Sequence, residues 1–202
     1  VSEHPEQLLS TILSRVQQIR VPRLSDEEIS YALQERLHIA PATAADYAHI
    51  ANGSYLAALK LAEANDETTQ EFNDFVALMR DAYTVGVLRD PQKKFESLSR
   101  LRKWSQDMAD AKVGREKQKR FLQYAQRQVR ENFIYNLRHQ ELNYQTASER
   151  EFSSRFAPFI HAGNVEQIMN ELDRAERQIE QNGNAKIIFF DLCLQMIVLI
   201  KK

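Results

Sequence analysis

A chain of 202 residues, 43% hydrophobic and 27% charged, is long enough for one or two packed domains and too apolar to be a disordered tail. Its formal net charge of −1 supplies no global field for nucleic acid or acidic lipid, so any such binding has to be local. The single cysteine, Cys193, excludes an internal disulfide framework and a cysteine-built zinc site.

Cys193 lies in an apolar run and reads as a buried, inert thiol, which suits a reducing, cytoplasmic compartment. That run, "AKIIFFDLCLQMIVLI", is interrupted by Asp191 and Gln195 and is too short and too polar to span a bilayer. No signal-peptide pattern is present. With 5 glycines, 5 prolines and almost no alternating pattern, the chain reads as an all-α fold of helices joined by short turns.

In chain order, "LLSTILSRVQQI" puts Leu8, Leu9, Ile12, Leu13 and Val16 on one helical stripe, with Pro5 in the first turn. Val16, Ile19 and Val21 are spaced like a short extended piece, which Pro22 ends. Ser25 and Glu28 form a capping box, and Asp26, Glu27 and Glu28 favour the positive end of the helix dipole. Ile29, Leu33 and Leu37 are the expected buried stripe of that helix. A second helix opens at Pro41 and closes at Asn52-Gly53. A third carries Leu56, Leu59 and Leu61 inward. These three short helices read as one unit over residues 23–65.

The polar stretch "EANDETTQE" is expected to separate that unit from a bundle of longer helices over residues 66–202. The first of these carries Phe72, Phe75, Val76, Met79 and Tyr83. The next starts at an Asp90-Pro91 cap and presents Phe95, Leu98, Leu101 and Trp104. The longest, from Gly114, would reach roughly 40 Å if straight. Another is bent or ended near Pro158. The next runs from an Asn164 cap to a Gly183 stop, with Val165, Ile168, Leu172 and Ile179 inward. The closing helix is apolar nearly all round and is expected to be central and buried.

Several chemistries are missing from the pattern. There is no G-x-x-x-x-G-K-[ST] phosphate loop, no G-x-G-x-x-G, no H-E-x-x-H and no G-x-S-x-G elbow. The five histidines are scattered, and paired carboxylates such as Asp26/Glu27 sit at helix starts. Catalysis by this chain alone is not expected. Residues 114–131 hold Arg115, Lys117, Lys119, Arg120, Arg127 and Arg130 against Glu116 and Glu131. Such a strip reads either as a contact for a phosphate backbone or acidic partner, or as an ordinary solvated face.

"HPEQLLSTILSRVQQIRVPRLSDEEI" resembles the end of the nucleotide-binding domain in AAA+ clamp-loader proteins. There a helix ends in a Ser-Arg-Cys motif, a short strand follows and a three-helix lid begins. Here the motif reads Ser14-Arg15-Val16. "HIANGSYLAALKLAE" resembles the lid of the same family. "GREKQKRFLQYAQRQVRENF" and "NGNAKIIFFDLCLQMIVLIKK" are similar to the collar of its delta-prime branch in bacterial DNA polymerase III.

The resemblance implies that residues 1–22 are the remnant of a nucleotide-binding-type domain of a longer protein, 23–65 the lid, and 66–202 a collar that joins subunits into a ring. Residues 1–22, with no sheet to join, would be disordered or packed in a non-native place. The resemblance makes Arg15 an arginine finger acting in trans on ATP held by a neighbour. A guanidinium is always charged, planar and forked, and so suits the charge spread over a transferring phosphoryl group. Val16 replaces the family cysteine, and Leu56 stands where ATP-binding relatives place an arginine in Gly-Ser-x-Arg. That second departure favours the delta-prime branch, which commonly does not hydrolyse ATP, so no cofactor is expected in this chain. The implied partners are the gamma/tau and delta subunits, with the sliding clamp and primed DNA reached through the complex, and no membrane. Arg115, Arg120 and Tyr124 are the candidate subunit-interface residues. Two rivals stand beside this reading: a helical scaffold or regulatory domain in which Arg15 merely closes a helix, and a helical nucleic-acid-binding protein using the 114–131 strip.

Overall fold

The computed structural model describes residues 9, 11, 14–17, 19, 22–63, 65–137 and 142–201, without the side chains of 65–68. These residues form nine α-helices and one 3-10 turn, with no strand among them. The expected leading helix and extended piece fall mostly outside the described residues, as does the expectation of disorder there. The described Leu9, Val16 and Ile19 are exposed.

Helix α1 spans Asp26–Leu37 and starts as its cap predicts. Ser25 Oγ accepts from the Glu28 N–H at 3.2 Å, and Glu28 Oε2 accepts from the Ser25 N–H at 2.8 Å. It ends at His38 in the left-handed region, φ 53°. Ile29 and Leu33 are fully buried, but Leu37, in the last turn, is exposed. Helix α2, Pro41–Ala51, ends through Asn52 and Gly53 at φ 46° and 83°, a turn that suits glycine. Helix α3, Tyr55–Glu63, corrects the expected register. Ala58 is fully buried and Leu56 is 69% exposed, because the inward face runs through Tyr55, Ala58, Leu61 and Ala62. The three helices close a small core of Ile29, Leu33, Ala44, Tyr47, Ala48 and Ala58.

The expected polar separator is largely helix. Helix α4 spans Asn65–Val87 and takes in "NDETTQE" as its opening turns. Phe75, Leu78, Met79 and Ala82 give it its buried face. Helix α5, Pro91–Met108, starts where Asp90 Oδ1 accepts from the N–H groups of Gln92 and Lys93 at 3.0 and 3.2 Å. It buries Leu101 and Met108 and leaves Phe95 and Leu98 outside. Helix α6 is Gly114–Asn136; its 23 residues reach roughly 35 Å.

Helix α7, Ala147–Phe156, has a second capping box from Thr146 and Glu149. A 3-10 turn, Ala157–Phe159, follows it at Pro158. Helix α8 is Val165–Glu180 and helix α9 is Ala185–Leu199. Asn164 does not cap α8 with its side chain. Its Oδ1 accepts from the His161 N–H at 2.9 Å, and its Nδ2 donates to the carbonyls of Phe159 and Leu199, so a buried amide ties the start of α8 to the end of α9.

One hydrophobic cluster joins α4 to α9. Trp104 packs edge-on to Phe121 and Phe189, with ring centroids 5.2 and 5.8 Å away, and its Nε1 donates to Asp74. Fully burying an aliphatic or phenyl side chain contributes about 1.5–3 kcal/mol relative to exposure, so this cluster carries most of the bundle's cohesion. Cys193 lies in it as expected, and burial pushes its thiol up to about 12.

The expectation of an all-round buried closing helix is corrected. Helix α9 packs on α4, α5 and α8, which cover one side only. Ile188, Phe189, Leu192, Cys193 and Met196 face them, while Leu194 and Val198 are exposed and Ile187 is 66% exposed. Helices α4 and α9 come so close that a Cβ on Gly86 would stand 2.6 Å from the carbonyl oxygen of Ile197. Only glycine fits that crossing without a shift.

Candidate functional site

Arg15 follows a turn in which Ser14 Oγ donates to the Thr11 carbonyl at 3.2 Å. Its side chain is exposed, and no described residue pairs with it. Leu56, also outward, offers no hydrogen bond to a phosphate.

The basic strip on α6 is placed differently from a free face. Arg115 Nη1 donates to the carbonyl of Ile179 at 2.9 Å and to that of Gly183 at 3.4 Å, closing the C-terminus of α8. Lys119 Nζ lies 3.1 Å from Glu180 Oε1. Arg120 Nε donates to Glu71 Oε1 of α4 at 2.7 Å. Arg130 pairs with its neighbour Glu131, whose other oxygen accepts from the Tyr144 N–H at 2.7 Å.

The tightest of these contacts surrounds Glu149, which is 2% exposed. Its Oε1 accepts from Tyr124 Oη at 2.6 Å, from Arg127 Nη2 at 2.5 Å and from Gln128 Nε2. Its Oε2 closes the cap at the Thr146 N–H at 2.8 Å. A buried carboxylate survives only with this many donors. Burial and the Glu149 charge both push the Tyr124 hydroxyl above the ordinary tyrosine range. Tyr124 itself is 7% exposed. Tyr124 is thus buried against α7, while Arg115 and Arg120 reach α8 and α4 from the rim of the bundle, Arg115 exposed and the Arg120 side chain 42% exposed.

Sequence spacing carries no sign of a polar seam between α2 and the chain that leads into α7. His49 Nδ1 lies 3.1 Å from Asp26 Oδ2, and Nε2 lies 3.1 Å from the carbonyl oxygen of Asn143. The imidazole stacks on Tyr144 with centroids 5.2 Å apart. Asp46 Oδ2 accepts from the Ala147 N–H at 3.2 Å. In the sequence His49 is one of five scattered histidines, because its partner lies 94 positions away. This seam fastens the three-helix unit to the bundle.

Among the described residues no group of three or more His, Cys, Asp or Glu side chains is placed to hold a metal. No described helix is long and apolar enough to cross a membrane. Comparison of the chain with family models, with curated proteins and with solved structures found no match. What the described side chains can do follows from their partners: five cations of α6 are engaged by acceptors of the bundle itself, whereas Arg15 and the outer side of α9 are exposed.

Proposed function

We propose that this chain is a delta-prime-like assembly subunit of a clamp loader, which joins its neighbours through the helical bundle and offers Arg15 in trans to an ATP site that a neighbour builds. The observation that carries this reading is Arg15 itself, an exposed guanidinium with no partner among the described residues, just ahead of a compact three-helix unit. Its placement after Ser14 and the outward Leu56 are what the resemblance to the clamp-loader family leads one to look for. In this reading ATP stays on the gamma/tau neighbours, delta is the further partner, and sliding clamp and primed DNA are met through the whole complex.

The test is ATP turnover by a loader reconstituted with the Arg15→Ala variant, with assembly followed by size exclusion. An arginine finger is worth about 10³–10⁵ in rate in well-studied GTPases, so a loss of about tenfold or more with normal assembly is the expected result. Arg15→Lys should not rescue it, because an ammonium lacks the planar fork. Unchanged turnover with normal assembly overturns the proposal.

A second reading, a helical scaffold or regulatory module with no nucleotide role, is favoured by one observation: the apolar outer side of α9. It expects Arg15→Ala to be silent while substitutions on α9 abolish partner binding. The nucleic-acid reading of the 114–131 strip has less support, because Arg115, Lys119, Arg120, Arg127 and Arg130 are engaged by acceptors of the bundle itself.

A further inference from the structure

Helices α5 and α9 leave an open groove of about 610 Å³ on the surface of the bundle. Its apolar lining comes from Leu98 on one wall and Ile187, Phe190 and Leu194 on the other. Apolar side chains gathered in this way, rather than scattered singly, mark an interaction surface.

The polar groups of the groove fall into two classes. Ser105 Oγ donates to the Arg102 carbonyl at 2.8 Å, and Asp191 pairs at 2.5 Å with Arg174, which also holds Glu171 at 2.5 Å, while Gln106 adds an uncharged amide. Arg102 and Lys186 are exposed and have no ion pair among the described residues. They stand on opposite walls, one on α5 and one on α9. This contrasts with Arg115, Lys119, Arg120, Arg127 and Arg130 on α6, which are matched by carboxylates or carbonyls. The groove therefore presents an apolar floor between two unmatched positive charges.

The walls also limit the shape of the occupant. Both are helices whose backbone hydrogen bonds close internally, so no strand edge is offered to an extended peptide. A channel between two packed helices accepts the ridge of a third, with anchors at i, i+3 or i+4, and i+7. The polar groups do not converge on a point as they would around a small polar ligand. We infer that the α5/α9 groove receives an amphipathic helix of another protein, one whose apolar stripe is flanked on both sides by Asp and Glu. The inference rests on this surface alone and does not depend on the clamp-loader reading.

The probe is a fluorescein-labelled synthetic helix of about 16 residues, close to the length of α9. It carries leucines at i, i+3 and i+7 with glutamates on both flanks, and its control has lysines in place of the glutamates. Fluorescence anisotropy with the full chain should give saturable binding of the glutamate helix, at least about tenfold tighter than the lysine helix and weakened by salt. Arg102→Glu with Lys186→Glu should reverse that preference, and Leu194→Asp should remove both. All three positions are exposed, and circular dichroism verifies that the variants stay folded. Equal binding of the two helices, or no binding of either, overturns the inference. So does a concentration-dependent dimer in sedimentation that Leu194→Asp dissolves, since the occupant would then be a second copy of this chain.

Discussion

Helices α6 and α9 meet their neighbours in opposite ways. Helix α6 is rich in arginine and lysine, and these side chains reach across from the rim, Arg115, Arg120 and Arg127 to α8, α4 and α7, while Tyr124 is buried. Helix α9 is apolar nearly all round and reads as the centre, yet three helices cover one side and the other faces water. The difference teaches that the interior of a helical bundle is decided by neighbours. A cation at the rim is tied down when an acceptor from a distant helix meets it, and an apolar side chain stays external when no helix arrives to cover it.

The contrast can be broken most severely on the covered side of α9. Phe189→Ala removes a fully buried ring from contact with Trp104 and Phe121 and should destabilise the chain by about 3–5 kcal/mol in urea denaturation. On α6 the sharpest cut is Glu149→Ala. It strips Tyr124, Arg127 and Gln128 of their shared acceptor and should destabilise by about 2–4 kcal/mol, with loosening of α7 visible in hydrogen exchange. The smallest effect belongs to the uncovered side. Ile187→Ser should change stability by less than about 0.5 kcal/mol in the same titration, although a helix of all-round burial would demand several times that. A large loss there would mean that α9 is covered after all, and would remove the groove.

The local features are legible in the chain itself. The Ser25–Glu28 box, the Asp90-Pro91 start, the Asn52-Gly53 stop and the break at Pro158 are written in neighbouring residues, and the backbone obeys them. The all-α class and the burial of Cys193 are legible for the same reason, since composition and periodicity are local. Sequence and structure part where the deciding partner is remote. Glu71 is 49 positions from Arg120, and Ile179 is 64 from Arg115, so amphipathicity alone does not name the acceptors of those arginines. Leu56 and Ala58 differ for another reason: in a nine-residue helix a turn of some 100° per residue exchanges the inward face within two positions. Arg15 is legible as a candidate only through its resemblance to a family motif, because an exposed arginine carries no local signature of its task.

The crossing at Gly86 has a consequence on the far side of α9. Ile197, whose carbonyl faces Gly86, lies one turn from Leu194 in the groove wall. A methyl group at position 86 would collide with that carbonyl, and relief of the collision would displace the helix that carries one wall of the groove. The absent side chain of one glycine thus sets how closely that wall is seated on α4.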